Sequence, residues 1–201
     1  MIDKVFPSVS EVLLDLNDGA VVMIGGFGGA GTPHNLVQGM IDKGVKKLTV
    51  IANSFNNIIL LRDWRQVRKV IMSAPTTAVR GTMTNPLTEG IDSGEIEVEM
   101  VPQGTLAERI RAGGAGIPAF YTPTGVGTPL AQGKEIRVFE GREYILERAL
   151  TADFAFIKAY KADKKGNLVY RKTMRNFNPP MTKAAKVVIA EVEEVVAAGE
   201  L

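Results

Sequence analysis

The chain has 201 residues, of which 45% are hydrophobic and 23% are charged, values typical of a folded globular domain rather than a disordered or collagen-like chain. It carries 24 lysine and arginine residues against 22 aspartate and glutamate residues, and this net charge of +2, without a basic cluster, argues against a nucleic-acid-binding protein. Cysteine is absent and histidine occurs once, which excludes disulfides and the usual zinc sites.

The first residues do not have the pattern that we expect of a signal peptide. Residues 1–4 include the acidic Asp3, and no apolar core of a signal peptide follows them. The longest apolar run, residues 20–31, is rich in glycine and shorter than the ~20 residues that a membrane-spanning helix needs. We therefore predict one cytoplasmic domain over residues 1–201, with no membrane association and no bound metal.

Helical and strand patterns alternate through the first half of the chain. Residues 20–24 are a continuous run of β-favouring side chains, the pattern of a strand covered on both faces. Pro33 suits the first turn of the helix that follows, and Gly44 suits its end. In chain order the predicted elements are a short helix after Ser8, strand 20–24, helix 34–42, strand 48–52, helix 58–64, strands 69–72 and 95–101, and helix 105–112. This alternation predicts a mostly parallel sheet with helices on both faces.

The second half of the chain predicts antiparallel hairpins. Two hairpins are expected, with strands at residues 136–139 and 144–146 and at residues 154–160 and 168–171. A last β-rich segment covers residues 187–196. Residues 120–127 carry so many turn-forming residues that we expect them to form a loop beside the functional site. The predicted fold class is α/β, a three-layer α/β/α arrangement with a mixed, mostly parallel central sheet and added antiparallel hairpins.

A glycine-rich loop joins the first predicted strand to the next helix. Residues 26–31 fit the pattern G-x-G-x-x-G, which in this context is a dinucleotide-binding fingerprint. That fingerprint also needs an acid after the second strand to bind the ribose hydroxyl, and here Asn53 and Ser54 stand in that place. A Rossmann-like, NAD-binding oxidoreductase is therefore an alternative hypothesis, weakened by the missing charged acceptor.

A longer motif surrounds the same loop. It consists of Asp18-Gly19, an apolar stretch, Gly25-Gly26-Phe27 and Gly31-Thr32-Pro33. This pattern is similar to the signature of the family I coenzyme A transferases, small subunit, and is most like the alpha chain of the 3-oxoacid CoA-transferases. Further stretches that resemble this family are residues 101–109, 120–125, 152–155, 166–168 and 175–178. Residues 55–94 follow the family poorly. Relatives continue past the position of Leu201, so we expect a truncated or shorter C-terminus.

The resemblance implies a reaction that needs two chains. Family I enzymes move CoA between an acyl-CoA, such as succinyl-CoA or acetyl-CoA, and a 3-oxoacid or other small carboxylate by a ping-pong mechanism. Their nucleophilic glutamate lies in a Ser-Glu-Asn-Gly motif of the beta subunit, and this sequence lacks that motif. The implied partner is a beta subunit in an alpha2beta2 assembly, with coenzyme A as a substrate and no tightly bound cofactor. A noncatalytic ligand-binding relative of the fold is a further alternative.

Candidate site residues follow from the charge that such a reaction develops. Attack on a thioester creates a negative oxygen, and each fixed hydrogen-bond donor aimed at it lowers the barrier by about 2.7 to 4 kcal/mol. Asn53 and Gln103, which follow predicted strands and match family amides, are the predicted catalytic residues for the oxyanion or for substrate orientation. The alternatives are that Asn53 closes a turn and that Gln103 caps a helix.

The glycine-rich loop supplies the predicted binding residues. Its backbone amides, with positive potential from the helix behind Pro33, suit a carboxylate or an oxyanion. The alternative for Gly28 and Gly31 is a tight turn that requires positive φ. The predicted substrate- or CoA-binding residues are Gly25, Gly26, Phe27, Gly28, Gly31 and Pro33.

Overall fold

The computed structural model of the chain describes residues 3–54, 57–58, 61, 63–74 and 86–201. Residues 59, 60 and 62 of the predicted helix over 58–64 lie outside these residues, as does part of the divergent segment 55–94. Among the described residues, no helix combines the length and the apolar character that crossing a lipid bilayer requires.

Helices and strands follow the predicted order closely. The helices of the described chain are α1 (Val9–Val12), α2 (His34–Lys43), α3 (Pro86–Asp92), α4 (Gln103–Gly114) and α5 (Asn178–Ala184). The strands are β1 (Val21–Ile24), β2 (Leu48–Ser54), β3 (Val67–Ala74), β4 (Glu97–Met100), β5 (Ala119–Thr122), β6 (Ile136–Phe139), β7 (Arg142–Arg148), β8 (Ala152–Asp163), β9 (Leu168–Val169) and β10 (Ala185–Val196). The predicted elements of the first half are confirmed apart from helix 58–64, whose last residue begins a 3-10 turn, Trp64–Gln66. Two helices, α3 and α5, were not predicted.

The central sheet is mixed and mostly parallel. In the part of the chain that the structure describes, its strands lie in the order β10-β8-β1-β2-β3-β4, all parallel, and short β9 pairs antiparallel with β8. Successive β2 side chains point to opposite faces, so that Val50 and Ala52 join one core cluster and Ile51 joins the other. Helices α1, α2 and α3 cover the first face, and α4 and α5 cover the second. The predicted three-layer α/β/α architecture is confirmed.

The second half of the chain corrects two expectations. Strands β6 and β7 form the predicted hairpin, but they join β5 in a separate three-stranded sheet, order β5-β7-β6, instead of extending the central sheet. Residues 120–127 were expected to form a loop, yet their first three residues belong to β5, which pairs with β7 from Ala119 opposite Arg148 onward. The β-favouring Phe120, Tyr121 and Thr122 therefore outweigh the turn-forming residues after them.

A partly buried ion network fastens the three-stranded sheet to the central body. Arg109 of α4 is 8% exposed, donates through Nε to the carbonyl of Arg148 at 2.7 Å and contacts Glu99 of β4 at 2.7 Å. The other carboxylate oxygen of Glu99 lies 2.8 Å from Nζ of Lys69 on β3. Glu147 of β7, which is 3% exposed, lies 3.8 Å from Nε of Arg109. The network thus joins β3, β4, α4 and β7.

This network predicts a loss of stability in acid. Burial raises the pKa of Glu99, but hydrogen bonds and charge from Lys69 and Arg109 outweigh burial and hold the pKa below its usual 4.5. A lowered folded-state pKa means that the ionised carboxylate stabilises the protein above that usual value, and the stabilisation disappears as the pH falls through the folded pKa. We therefore expect Glu99→Gln to flatten the decline in melting temperature between about pH 5 and pH 3. Thermal unfolding across this range, with exposed Glu95→Gln as the charge control, measures this slope. An unchanged slope in Glu99→Gln would contradict the assignment.

Candidate functional site

Asn53 and Gln103 meet at the carboxyl edge of the central sheet. Asn53 is the penultimate residue of β2 and shares the sheet face of Ile51, which α4 covers. Gln103 is the first residue of α4, just after β4, and its Nε2 donates to Oδ1 of Asn53 at 2.8 Å. The two predicted amides therefore lie together although 50 residues separate them in the chain.

Neither alternative for these two amides agrees with the geometry. Asn53 lies within β2, so it does not close a turn. The N-cap residue of α4 is Pro102, and no side chain makes a capping hydrogen bond there. The amide of Gln103 is directed to Asn53 instead.

Within the described part of the chain, the Asn53 side chain keeps its NH2 group unpaired. Its Oδ1 accepts from Nε2 of Gln103 and lies 2.9 Å from Oγ of Ser73, a residue of β3 that carried no signal in the sequence. Nδ2 has no hydrogen-bond partner among the described residues, although the residue is only 3% exposed. An amide whose oxygen is held by two donors and whose NH2 group is unpaired is suited to donate to an anionic oxygen.

The start of α4 adds positive potential at the same place. The helix has 12 residues, and its first turn contains no acidic side chain and receives no side-chain cap. Within the described residues, its first N–H groups therefore lack side-chain acceptors, and the helix dipole favours an anion at this end. Asn53 and α4 together form an environment for a carboxylate or an oxyanion.

The start of α2 does not have this property, which corrects the expectation for the helix behind Pro33. Pro33 is the buried N-cap residue, and Oε2 of Glu191 from β10 accepts from the N–H groups of Asn35 at 2.9 Å and Leu36 at 3.4 Å. Glu191 also pairs with Lys158 at 2.9 Å. The carboxylate of Glu191 occupies the position in which a dinucleotide pyrophosphate would bind, so the geometry opposes the NAD-binding hypothesis.

The glycine-rich loop forms a tight hairpin with an exposed tip. Phe27 and Ala30 exchange both backbone hydrogen bonds at 3.0 Å, and the two residues between them, Gly28 and Gly29, have φ values of 57° and 91°. Two positive φ values are the requirement of a type I′ turn, which glycine meets without strain. Phe27 is 47% exposed, so the tip is open to a ligand or to another chain.

The base of the hairpin packs against a buried asparagine that sequence reasoning missed. The N–H of Gly25 donates to the carbonyl of Phe156 at 2.8 Å, so this predicted donor is already used. A side chain at Gly25 would collide with Oδ1 of Asn178, and one at Gly31 would approach Nδ2 of Asn178 to 2.9 Å. Asn178 lies in the family-like stretch 175–178, which was the one signal that could have identified it. Gly25 and Gly31 therefore provide close packing.

A second buried asparagine joins the hairpin to β2. Nδ2 of Asn57 donates to Oγ1 of Thr32 at 2.9 Å, and Oδ1 of Asn57 accepts from the N–H of Ser54 at 3.2 Å. A side chain at Gly26 would lie 2.5 Å from both Asn57 and Thr32. These contacts hold the hairpin beside the end of β2, where Asn53 lies. Asn57 falls in the segment that follows the family poorly, so its role was not predicted.

Known proteins resemble this chain along nearly its whole length. A family model described as coenzyme A transferase matches residues 8–201. The chain is 50% identical to the A subunit of the succinyl-CoA:3-ketoacid coenzyme A transferase of Helicobacter pylori strain J99, over 99% of this chain and 85% of that protein. It is 48% identical to the A subunit of the 3-oxoadipate CoA-transferase of Pseudomonas putida, over 100% of this chain and 87% of that protein.

A solved structure shares the fold. The acyl-CoA transferase YdiF from E. coli O157:H7, in a thioester complex with CoA, aligns with a TM-score of 0.84 at 21% identity. The alignment covers 96% of this chain and 45% of that chain. The α/β/α architecture described above is therefore that of a known acyl-CoA transferase.

Proposed function

Because this chain belongs to the coenzyme A transferase family, we propose that it is the alpha subunit of an enzyme that moves CoA from an acyl-CoA to a small carboxylate. The observation that carries the proposal is the unpaired Nδ2 of Asn53 beside the uncapped start of α4. Both features stabilise a negative oxygen, the species that acyl transfer produces. The dinucleotide hypothesis requires an anion at the start of α2, where Glu191 is placed instead.

The proposed substrates are succinyl-CoA as donor and a 3-oxoacid as acceptor. Two similar relatives are named for succinyl-CoA with a 3-ketoacid and for 3-oxoadipate, at 50% and 48% identity to this chain. Identities this close favour neither acceptor over the other. Acetoacetate and 3-oxoadipate are therefore the two acceptors to compare, because 3-oxoadipate carries a second carboxylate that acetoacetate lacks.

The nucleophile is proposed to come from a beta subunit, in an alpha2beta2 assembly. The Ser-Glu-Asn-Gly motif that carries the family glutamate does not occur in this sequence. A carboxylate of the partner would attack the thioester carbon, and the carbonyl oxygen would gain negative charge before the CoA thiolate leaves. Nδ2 of Asn53 would donate to that oxygen, and the positive end of α4 would add to the stabilisation. The acyl anhydride formed on the partner would then react with this thiolate, which releases the donor carboxylate and leaves a CoA thioester on the partner. The acceptor carboxylate would take the CoA by the same steps in reverse.

The glycine hairpin is proposed to cover the bound acyl-CoA. Its exposed tip, Phe27 and Gly28, would contact the thioester side of the ligand, whereas Gly25, Gly26, Gly31 and Pro33 hold the tip in place through buried contacts. Phe27 would supply an apolar surface that excludes water from the reactive thioester.

The test is reconstitution with the beta subunit encoded alongside this chain. We expect 3-oxoacyl-CoA to form from succinyl-CoA and a 3-oxoacid only when both chains are present. Chromatography measures the product. Borohydride added with acyl-CoA should inactivate the mixture by reducing the thioester on the partner. Transfer by this chain alone, or acyl-CoA binding without turnover in the assembled complex, would contradict the proposal. The second of these outcomes would indicate the noncatalytic alternative.

A further inference from the structure

We propose that Ser73 is a positioning residue that, together with Gln103, holds the Asn53 amide so that Nδ2 faces the substrate, an inference that rests on the function proposed above. Asn53 is the catalytic residue, because its Nδ2 would touch the reacting oxygen. Ser73 acts only through Asn53.

Ser73 lies where a neighbouring parallel strand can restrain Asn53. The alternation of side chains along β3 places Ser73 on the sheet face of Ile71, the face that α4 covers and to which Asn53 also points. Oγ of Ser73 lies 2.6 Å from the backbone carbonyl oxygen of Asn53 and 2.9 Å from its Oδ1. The single hydroxyl proton is shared between these two acceptors, so the contact ties the side chain of Asn53 to its own backbone.

Gln103 fixes the positions of the oxygen and the nitrogen of the Asn53 side-chain amide. Its Nε2 donates to Oδ1 of Asn53 at 2.8 Å. Turning the Asn53 amide by half a rotation would place its NH2 group against the NH2 group of Gln103, two donors without an acceptor. Gln103 therefore sets the sense of the amide, and Ser73 restrains its position from the rigid strand β3.

The arrangement explains why Asn53 can be buried and yet keep a free donor. A buried amide normally satisfies all of its polar groups within the protein. Here Oδ1 takes both available donors, and within the described residues no acceptor is directed at Nδ2. An orientation that is fixed before the substrate arrives costs no reorganisation during the reaction.

A double-mutant cycle in the assembled enzyme tests the proposal. Loss of one neutral hydrogen bond is worth about 1 kcal/mol, so we expect Ser73→Ala to lower kcat about 5-fold with little change in the KM for acyl-CoA. Ser73→Thr, which keeps the hydroxyl, should retain most of the activity. Ser93→Ala is the matched control, because the Ser93 hydroxyl donates to the backbone carbonyl of Gly90 at 3.2 Å, away from the site.

The cycle separates positioning from a general structural role. In an Asn53→Ala background, adding Ser73→Ala should leave kcat unchanged, because the residue through which Ser73 acts is gone. An equal fall in kcat with and without Asn53, or no fall in the single variant, would overturn the proposal. A fall that Ser93→Ala reproduces would overturn it as well.

A second measurement does not depend on turnover. In protein labelled with 15N-asparagine, the side-chain amide signals of Asn53, identified by their loss in Asn53→Ala, should shift in Ser73→Ala and stay in place in Ser93→Ala. Unchanged Asn53 signals in Ser73→Ala would overturn the positioning role even if the enzyme is active. If the wild-type complex transfers no CoA, the proposed function fails, and this spectrum still decides whether Ser73 orients Asn53.

Discussion

Replacing Asn53 by alanine is expected to lower kcat of the assembled enzyme by about 100- to 1,000-fold, the loss that follows removal of one fixed donor to an oxyanion. The expectation rests on the unpaired Nδ2 and on the 3% exposure of the residue. The KM for acyl-CoA should change less than kcat, because the interaction is strongest in the transition state.

Controls separate this loss from misfolding. Asn17→Ala, which removes an exposed asparagine bonded to the carbonyl of Asp15, should leave kcat unchanged. Gln103→Ala should cost only about 10-fold, since Ser73 still holds Oδ1 of Asn53. Steady-state kinetics measures kcat of each variant complex, and analytical size exclusion measures whether the complex forms. Full turnover by Asn53→Ala, or a loss confined to formation of the complex, would rule out the catalytic role.

Replacing Asn178 by alanine is expected to destabilise the folded chain strongly. Asn178 is fully buried, its Oδ1 accepts from the N–H of Lys158 at 3.0 Å, and its Nδ2 donates to the carbonyls of Gly31 at 3.1 Å and Met174 at 2.7 Å. Removing the amide leaves three backbone groups without this partner, one in a buried and two in partly buried contacts, and opens a cavity. We expect the free energy of unfolding to fall by about 3 kcal/mol.

The loss should appear in thermal unfolding as a melting temperature lower by roughly 6 to 12 °C, given the size of the chain. Asn178→Asp retains the acceptor for Lys158 but loses both donations, so it should also destabilise the protein. Exposed Asn35→Ala serves as the matched control. A melting temperature of Asn178→Ala close to that of Asn35→Ala would show that Asn178 does not support the hairpin.

The parallel core was predictable from local patterns. The unbroken apolar run of β1 indicated a strand buried on both faces, and Gly44 marked the end of α2, where it has a positive φ of 73°. Parallel strands bring their carboxyl ends to one edge, and Asn53 and Gln103, which follow two such strands, therefore lie in the same region. Periodicity and turn chemistry are properties of short segments, so they can be read from the chain directly.

Long-range contacts account for what the sequence did not indicate. Glu191 reaches the start of α2 across 156 residues, and Asn178 bonds Gly31 across 147 residues. No spacing rule connects residues so far apart. The same applies to Ser73, whose importance comes from the strand beside it and not from its own neighbours in the chain. Strand β5 was missed because its partner, β7, lies beyond the intervening turn residues.

The most direct test of Asn53 as the oxyanion donor is a structure of this chain with its beta subunit, trapped as the CoA thioester. We predict that Nδ2 of Asn53 lies within about 3.2 Å of the acyl oxygen, with Ser73 and Gln103 still bonded to Oδ1. An acyl oxygen bound by other groups, with Asn53 turned away from it or covered by a side chain of its own chain, would contradict this role.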